Sequence, residues 1–165
     1  MLAAIRIRGR TGIKQDIADT AHLMRLNRIN HLVLLNEDEV VKGMLQKVKD
    51  YVTWGEIDVD TLEILLKNRL LFKGRRHLTE EELKEKTGFA SYRDLAQALI
   101  DGKVKPSDIA DAVPVIRLNP PKGGYEAIRK SYRSGGSSGY RGSDINRLIR
   151  KMIVSGVDLN GKREN

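Results

Sequence analysis

Five cations, Lys122, Arg129, Lys130, Arg133 and Arg141, punctuate the segment from Asn119 to Gly142, with Tyr125, Tyr132 and Tyr140 set among them. Guanidinium and ammonium groups pair with phosphate oxygens, and phenol rings stack on unpaired bases, so the mixture fits the surface of a folded RNA. Arginine adds a planar fork that braces several phosphate oxygens, where lysine acts as a point charge. The charge is also localised. Residues 114–165 hold eleven Lys/Arg against four Asp/Glu, a net of +7 out of +8 for all 165 residues, which leaves +1 for the first 113. Gly, Pro and Ser are too frequent here for the segment to bury a core, so it is expected to order on a partner. The plainer alternative is a solvated linker ahead of a last helix.

Further cations extend the candidate RNA-contacting set. Arg6, Arg8 and Arg10 form a row along an N-terminal strand, and Lys14, Arg25 and Arg28 flank or follow the first helix. Lys73, Arg75 and Arg76 make a basic knot beside His77; Arg117 precedes the loop, and Arg147 and Arg150 lie on the helix after it. Other chemistries find fewer residues. His22, His31 and His77 stand far apart without metal-ligand spacing and read as ordinary surface or core side chains. There is no cysteine for a disulfide or thiolate site, and Ser137 and Ser138 have no nearby base or nucleophile elbow. The turn Gly9–Gly12 lacks the later residues of a phosphate loop or dinucleotide fingerprint. Glu37, Asp38 and Glu39 suit the positive end of a helix dipole. No catalytic group, metal, cofactor or small-molecule substrate is expected. No apolar run approaches a membrane span, and MLAAIRIRGR carries three arginines where a signal peptide needs its apolar region, so a cytoplasmic protein is expected.

The elements that must hold these cations follow from periodicity. Residues 2–10 alternate, with Ala3, Ile5 and Ile7 toward a core, Arg6 and Arg8 on the opposite, cationic face, and Arg10 just beyond. Lys14 to Asn27 reads as a helix with an apolar stripe of Ile17, Ala18, Ala21, Met24 and neighbouring Leu23. His31 to Leu35 reads as a central strand covered on both faces. Asn36, with Glu39, predicts a capped helix that turns Val40, Val41, Met44, Leu45, Val48 and Val52 inward. A third strand near Tyr51 to Ile57 completes a βαβαβ unit over residues 1–57.

From Asp58 to Val113 a small helical subdomain is expected. Its first helix is capped at Asp60 or Thr61 and ends before Gly74; a Thr79/Glu82 capping box opens the next, which stops at Gly88; Ser91 and Asp94 open a third, which stops at Gly102. A short helix follows Pro106 and Ser107. Residues 114–154 supply an extended stretch at Val115–Leu118, the basic loop, and a final helix from Asp144 to Val154 capped by Ser143, with Ile145, Leu148, Ile149, Met152 and Ile153 inward. Residues 155–165 read as a disordered tail. The class is α+β. Two of the helices, Glu80 to Thr87 and Tyr92 to Asp101, are spaced like a helix-turn-helix, so a DNA-binding regulator using residues 79–101 is the alternative function. Its reading helix offers Arg93 against Asp94 and Asp101, poor chemistry for a major groove. An enzyme acting on RNA is a further alternative for which the sequence names no carboxylates.

The stretch IRGRTGIKQDIADTAHLMRLNRINHLVLL resembles the core of the L thirty family of large-subunit ribosomal proteins. WGEIDVDTLEILLKNR resembles the equivalent region of the family's eukaryotic relative, ribosomal protein L seven. LNPPKGGY, with Lys122, Gly123, Gly124 and Tyr125, and SDINRLIRKMI resemble that relative's Pro-basic-Gly-Gly turn and C-terminal helix. The likeness covers residues 2 to about 154, and the length and added helices resemble the archaeal form. It implies an antiparallel three-stranded sheet with two helices on one side. It also implies a place in ribosomes against the large ribosomal RNA, with the small RNA of that subunit and neighbouring ribosomal proteins nearby.

Overall fold

The computed structural model describes residues 1–153; the expected tail at 155–165 lies outside the described residues. Three strands come from the first third of the chain: β1 (Leu2–Arg6), β2 (His31–Leu35) and β3 (Val52–Glu56). β1 lies between the other two, antiparallel to both, with Ala3 opposite Leu34 on one side and Gly55 on the other. The implied antiparallel trio is present, with β1 rather than β2 at its centre. Two strands of two residues each extend it to a mixed five-stranded sheet in the order β4-β2-β1-β3-β5. β4 (Ile116–Arg117) runs antiparallel to β2, and β5 (Gly139–Tyr140) runs parallel to β3. Two residues show no period, which is why the sequence predicts three strands.

Alternation along β1 feeds two cores. Leu2 and Ala4, with Val33, Val52 and Trp54, pack under α1 (Gln15–Leu23) and α2 (Glu39–Lys47) through Ala21, Leu45 and Val48. Ala3 and Ile5, with Leu32, pack under α3 (Val59–Arg69), α4 (Glu80–Thr87), α5 (Tyr92–Ile100) and α6 (Asp144–Ile153) through Leu62, Leu65, Leu83, Leu95, Leu99, Ile145 and Ile149. The two helices of the βαβαβ unit thus share one face, and the later helices cover the other. Each fully buried Leu or Ile is worth roughly 1.5–3 kcal/mol, so these two layers hold the sheet. α1 stops where Arg25 adopts a left-handed φ of 61°, which sends Met24 and Leu26 inward. Leu23 and Val40, expected on the apolar stripes, are instead 74% and 75% exposed. Asp38 rather than Asn36 occupies the N-cap of α2, with no side-chain cap bond.

Caps in the helical region follow the sequence more closely. Asp58, two residues before the expected Asp60, caps α3 by accepting from the Thr61 amide at 2.7 Å. Thr79 and Glu82 form the reciprocal box at the start of α4, and Gly88 ends it at φ 78°. Ser91 caps α5. α5 does not present a DNA-reading face. Tyr92, Leu95, Ala96, Ala98 and Leu99 are buried on it, and Arg93 is held 2.9 Å from both Asp60 and Glu63 of α3.

Candidate nucleic-acid interface

The basic loop folds onto its own body, contrary to the expectation that it orders only on a partner. The Ser137 amide donates to the Lys130 carbonyl (3.1 Å), the Gly136 amide to that of Ser131 (2.8 Å) and the Tyr132 amide to that of Ser138 (2.8 Å). The glycine content serves close approach here rather than looseness: a Cβ on Gly136 would lie 2.0 Å from the Lys130 carbonyl oxygen. Tyr125 donates its hydroxyl to Asn30 Oδ1 at 2.6 Å, and burial pushes its pKa up. Tyr140 donates to Glu56 Oε1 (2.6 Å) and Tyr132 to Asp144, hydrogen bonds that raise both phenols' pKa values.

Arg141, expected at the RNA surface, is only 8% exposed. Its Nε donates to Thr53 Oγ1 (2.8 Å), its Nη2 to the Ser137 carbonyl (2.7 Å), and its guanidinium lies 4.8 Å from the Tyr132 ring centroid. Its backbone amide donates to the Trp54 carbonyl at 2.9 Å. Burial lowers its pKa, opposed first by Glu126. Arg141 therefore fastens the loop to β3 instead of reaching a phosphate.

Arg6 is the second correction. At 3% exposed it is part of the interior, donating to the carbonyls of Leu26 (2.7 Å), Arg8 (2.8 Å) and Gly9 (3.2 Å). The expected cationic face of β1 is the face that α1, α2 and the link into β2 cover. Burial and then Arg10 lower its pKa. Arg8 is half-buried, with its guanidinium 4.7 Å from the Tyr51 ring centroid.

The other cations face outward. Lys122, Gly123, Gly124, Arg129, Lys130 and Arg133 are exposed on the loop, and Arg147 and Arg150 on α6. Among the described residues Arg129, Lys130, Arg133 and Arg147 form no salt bridge. Arg150 donates to Thr61 Oγ1 at 3.1 Å, and Arg76 pairs with Glu82 at 3.8 Å. Lys14 and Lys73 are exposed, and Arg25 borders an apolar groove beside Leu23 and Pro106.

The structure gathers the remaining candidates in one place. A cleft of about 800 Å³ is lined by Arg6, Arg10, Arg28, Arg75 and Arg117, with His22, His31 and one carboxylate, Asp19. Arg117 arrives by register, since β4 sets it opposite His31 of β2. Arg75 arrives because the turn after Phe72 takes left-handed φ values at Gly74 (86°) and Arg75 (58°). Arg10 is oriented by donation from its Nε to the Asn27 carbonyl at 3.0 Å. His31 sits among them with its Nδ1 buried and without a hydrogen-bond partner among the described residues. Burial first, then Arg117, Arg28 and Arg6, lower its pKa. His31 has no metal-ligand spacing to mark it in the sequence, and its arginine neighbours come from separate segments. Converging arginines with little opposing charge make an anion-binding surface.

Comparison with known proteins gives a consistent result. Residues 2–52 match the family model described as Ribosomal protein L30p/L7e. The chain is 92% identical to large ribosomal subunit protein uL30 of Thermoplasma acidophilum and 81% identical to that of Thermoplasma volcanium, each over 165 residues and the whole of both chains. It is 47% identical over 153 residues to the protein of that name from Methanobrevibacter smithii, covering 93% of this chain and all of the relative.

Proposed function

Because the chain belongs to the Ribosomal protein L30p/L7e family, we propose that it is a structural, non-catalytic constituent of the large ribosomal subunit, working in cytoplasmic ribosomes, where its outward cations bind and brace folded ribosomal RNA. The large ribosomal RNA is the main partner, with the small RNA of the subunit and neighbouring ribosomal proteins at its borders. The observation that carries this is the distribution of cations: a cleft in which Arg10, Arg28, Arg75 and Arg117 face one carboxylate above the buried Arg6, and a folded loop that turns Arg129, Lys130 and Arg133 outward. The loop is a preformed support, so its charges meet RNA at fixed spacing and little ordering entropy opposes binding. Recognition through phosphates and RNA shape follows from this geometry.

Filter binding of the full chain to large-subunit ribosomal RNA between 50 and 200 mM salt tests the reading. Each phosphate contact contributes about 0.7–0.9 to the slope of log affinity against log salt. The double variant Arg129→Gln/Arg133→Gln should flatten that slope by about 1.4–1.8, and an unchanged slope removes the loop from the interface. Arg93→Glu should leave RNA binding unaltered, because Arg93 already lies against Asp60 and Glu63.

A further inference from the structure

Away from the arginine cleft, α2, β3 and the folded loop enclose a smaller cavity of about 260 Å³ whose wall is aromatic: Trp54 of β3, Tyr140 of β5 and Tyr132 of the loop. The parallel register sets Tyr140 opposite Trp54, with ring centroids 6.4 Å apart. Both phenols are fixed at their hydroxyls, Tyr140 by Glu56 and Tyr132 by Asp144, and the Arg141 guanidinium backs the Tyr132 ring. Tyr140 nevertheless stays 45% exposed. Rings held in this way present a face with little side-chain freedom left to lose on binding. Gln46 of α2, Lys49 just after it and Arg133 of the loop complete the rim, all three exposed. Among the described residues neither Lys49 nor Arg133 forms an ion pair, and no carboxylate lines the cavity. Tyr140 also lines a neighbouring cavity, and there the charge differs, because Glu37 and Glu56 line it.

We propose that this aromatic cavity takes a single unpaired RNA base, stacked on Tyr140 between Trp54 and Tyr132, while Lys49 and Arg133 hold the phosphates that flank it. The inference rests on the ribosomal RNA reading and adds to it a base contact that recognition of phosphates and shape does not supply. Exposed rings beside unpaired cations are the combination that holds single-stranded nucleic acid, the rings taking bases and the cations taking backbone. The volume lies below the range of about 300–1,000 Å³ that encloses whole drug-sized ligands, so one ring system enters and its sugar and phosphates stay at the rim. The strand passes on the Lys49 and Arg133 side, since Glu37 and Glu56 repel phosphate on the other side of Tyr140. Stacking accepts any base, and the Gln46 amide offers a donor and an acceptor to whichever edge arrives. A base within a helix has both faces covered, so the cavity selects a bulged or looped-out nucleotide.

Trp54 is the chain's single tryptophan, so the unaltered protein reports on its own cavity. Its fluorescence should be quenched saturably by single-stranded oligoadenylate at low salt and left unchanged by inorganic polyphosphate with the same number of phosphates. Equal quenching by both, or by neither, would mean that no base enters. Filter binding of the full chain to large-subunit ribosomal RNA supplies the second measurement. Tyr140→Leu removes the stacking face and should weaken binding roughly five- to hundredfold, yet leave the slope against salt unchanged, because no phosphate contact is lost. Tyr140→Phe keeps the face, loses only the hydroxyl bond to Glu56, and should retain most of the affinity. A Tyr140→Leu protein that binds like the parent, or one that loses no more than Tyr140→Phe, would overturn the base site while leaving the cation reading standing. Failure of the wild type to bind the RNA at all would overturn both.

Discussion

Gly55→Ala is the sharpest structural perturbation available. Gly55 lies in the middle of β3, opposite Ala3, and a methyl there would sit 1.9 Å from the Gly142 carbonyl oxygen and 3.1 Å from Ile145 Cβ. Close C···O contacts settle near 3.3–3.6 Å, so the two backbones must part by about 1.5 Å. Neither side yields easily. β3 is held between β1 and β5, and the segment at Gly142 is tied to β3 by the hydrogen bond from the Arg141 amide to the Trp54 carbonyl. Overpacking costs about 1–3 kcal/mol, and with backbone as the obstacle the upper end applies. For a chain of this size about 3 kcal/mol lowers Tm by roughly 6–12 °C. Gly43→Ala is the matched control: it is a glycine within α2 whose added carbon meets nothing within 4 Å among the described residues beyond its own helix backbone and chain neighbours, and it should stabilise by about 0.5–1 kcal/mol. Thermal melts by circular dichroism read both. A Gly55→Ala protein melting within 2 °C of the parent would show that β3 and the start of α6 do not approach as described.

Removing the Arg141 side chain deletes two hydrogen bonds from a charged donor, each worth about 1.5–3 kcal/mol, and relieves one buried charge. Arg141→Ala should therefore lose about 2–4 kcal/mol in urea unfolding and become sensitive to chymotrypsin at Tyr132 and Tyr140; parent-like cleavage would contradict the fastening role. Asp58→Ala removes the cap on the Thr61 amide and should cost about 1 kcal/mol; a shift smaller than the error of the melt would mean another group caps α3.

The features visible in the sequence were those written in local pattern. The Thr79/Glu82 box, the stops at Gly88 and Gly102 and the apolar face of α6 depend on residues within a few positions of each other, and the structure places them as expected. The burial of Arg6 is not legible in the alternation, because period two reports which residues share a face of a strand, not what covers that face; its partners Leu26 and Gly9 belong to the surrounding loops. The folded state of the loop is not legible in its composition, which does not distinguish a glycine that loosens the chain from one that lets two backbones touch, as Gly136 does against Lys130. The cleft around His31 had no linear signature, since its arginines meet only through strand register and two loop turns.

The outermost strands, β4 and β5, are both made late, whereas the strands they flank are complete by Glu56. A nascent chain emerging N-terminus first therefore holds a sheet with two bare rims until synthesis reaches Ile116. Those 60 residues take roughly 3–12 s at about 5–20 residues per second. Unpaired rims recruit other strands, so this interval is when the polypeptide is most in need of a chaperone, and finishing translation is itself what ends the hazard.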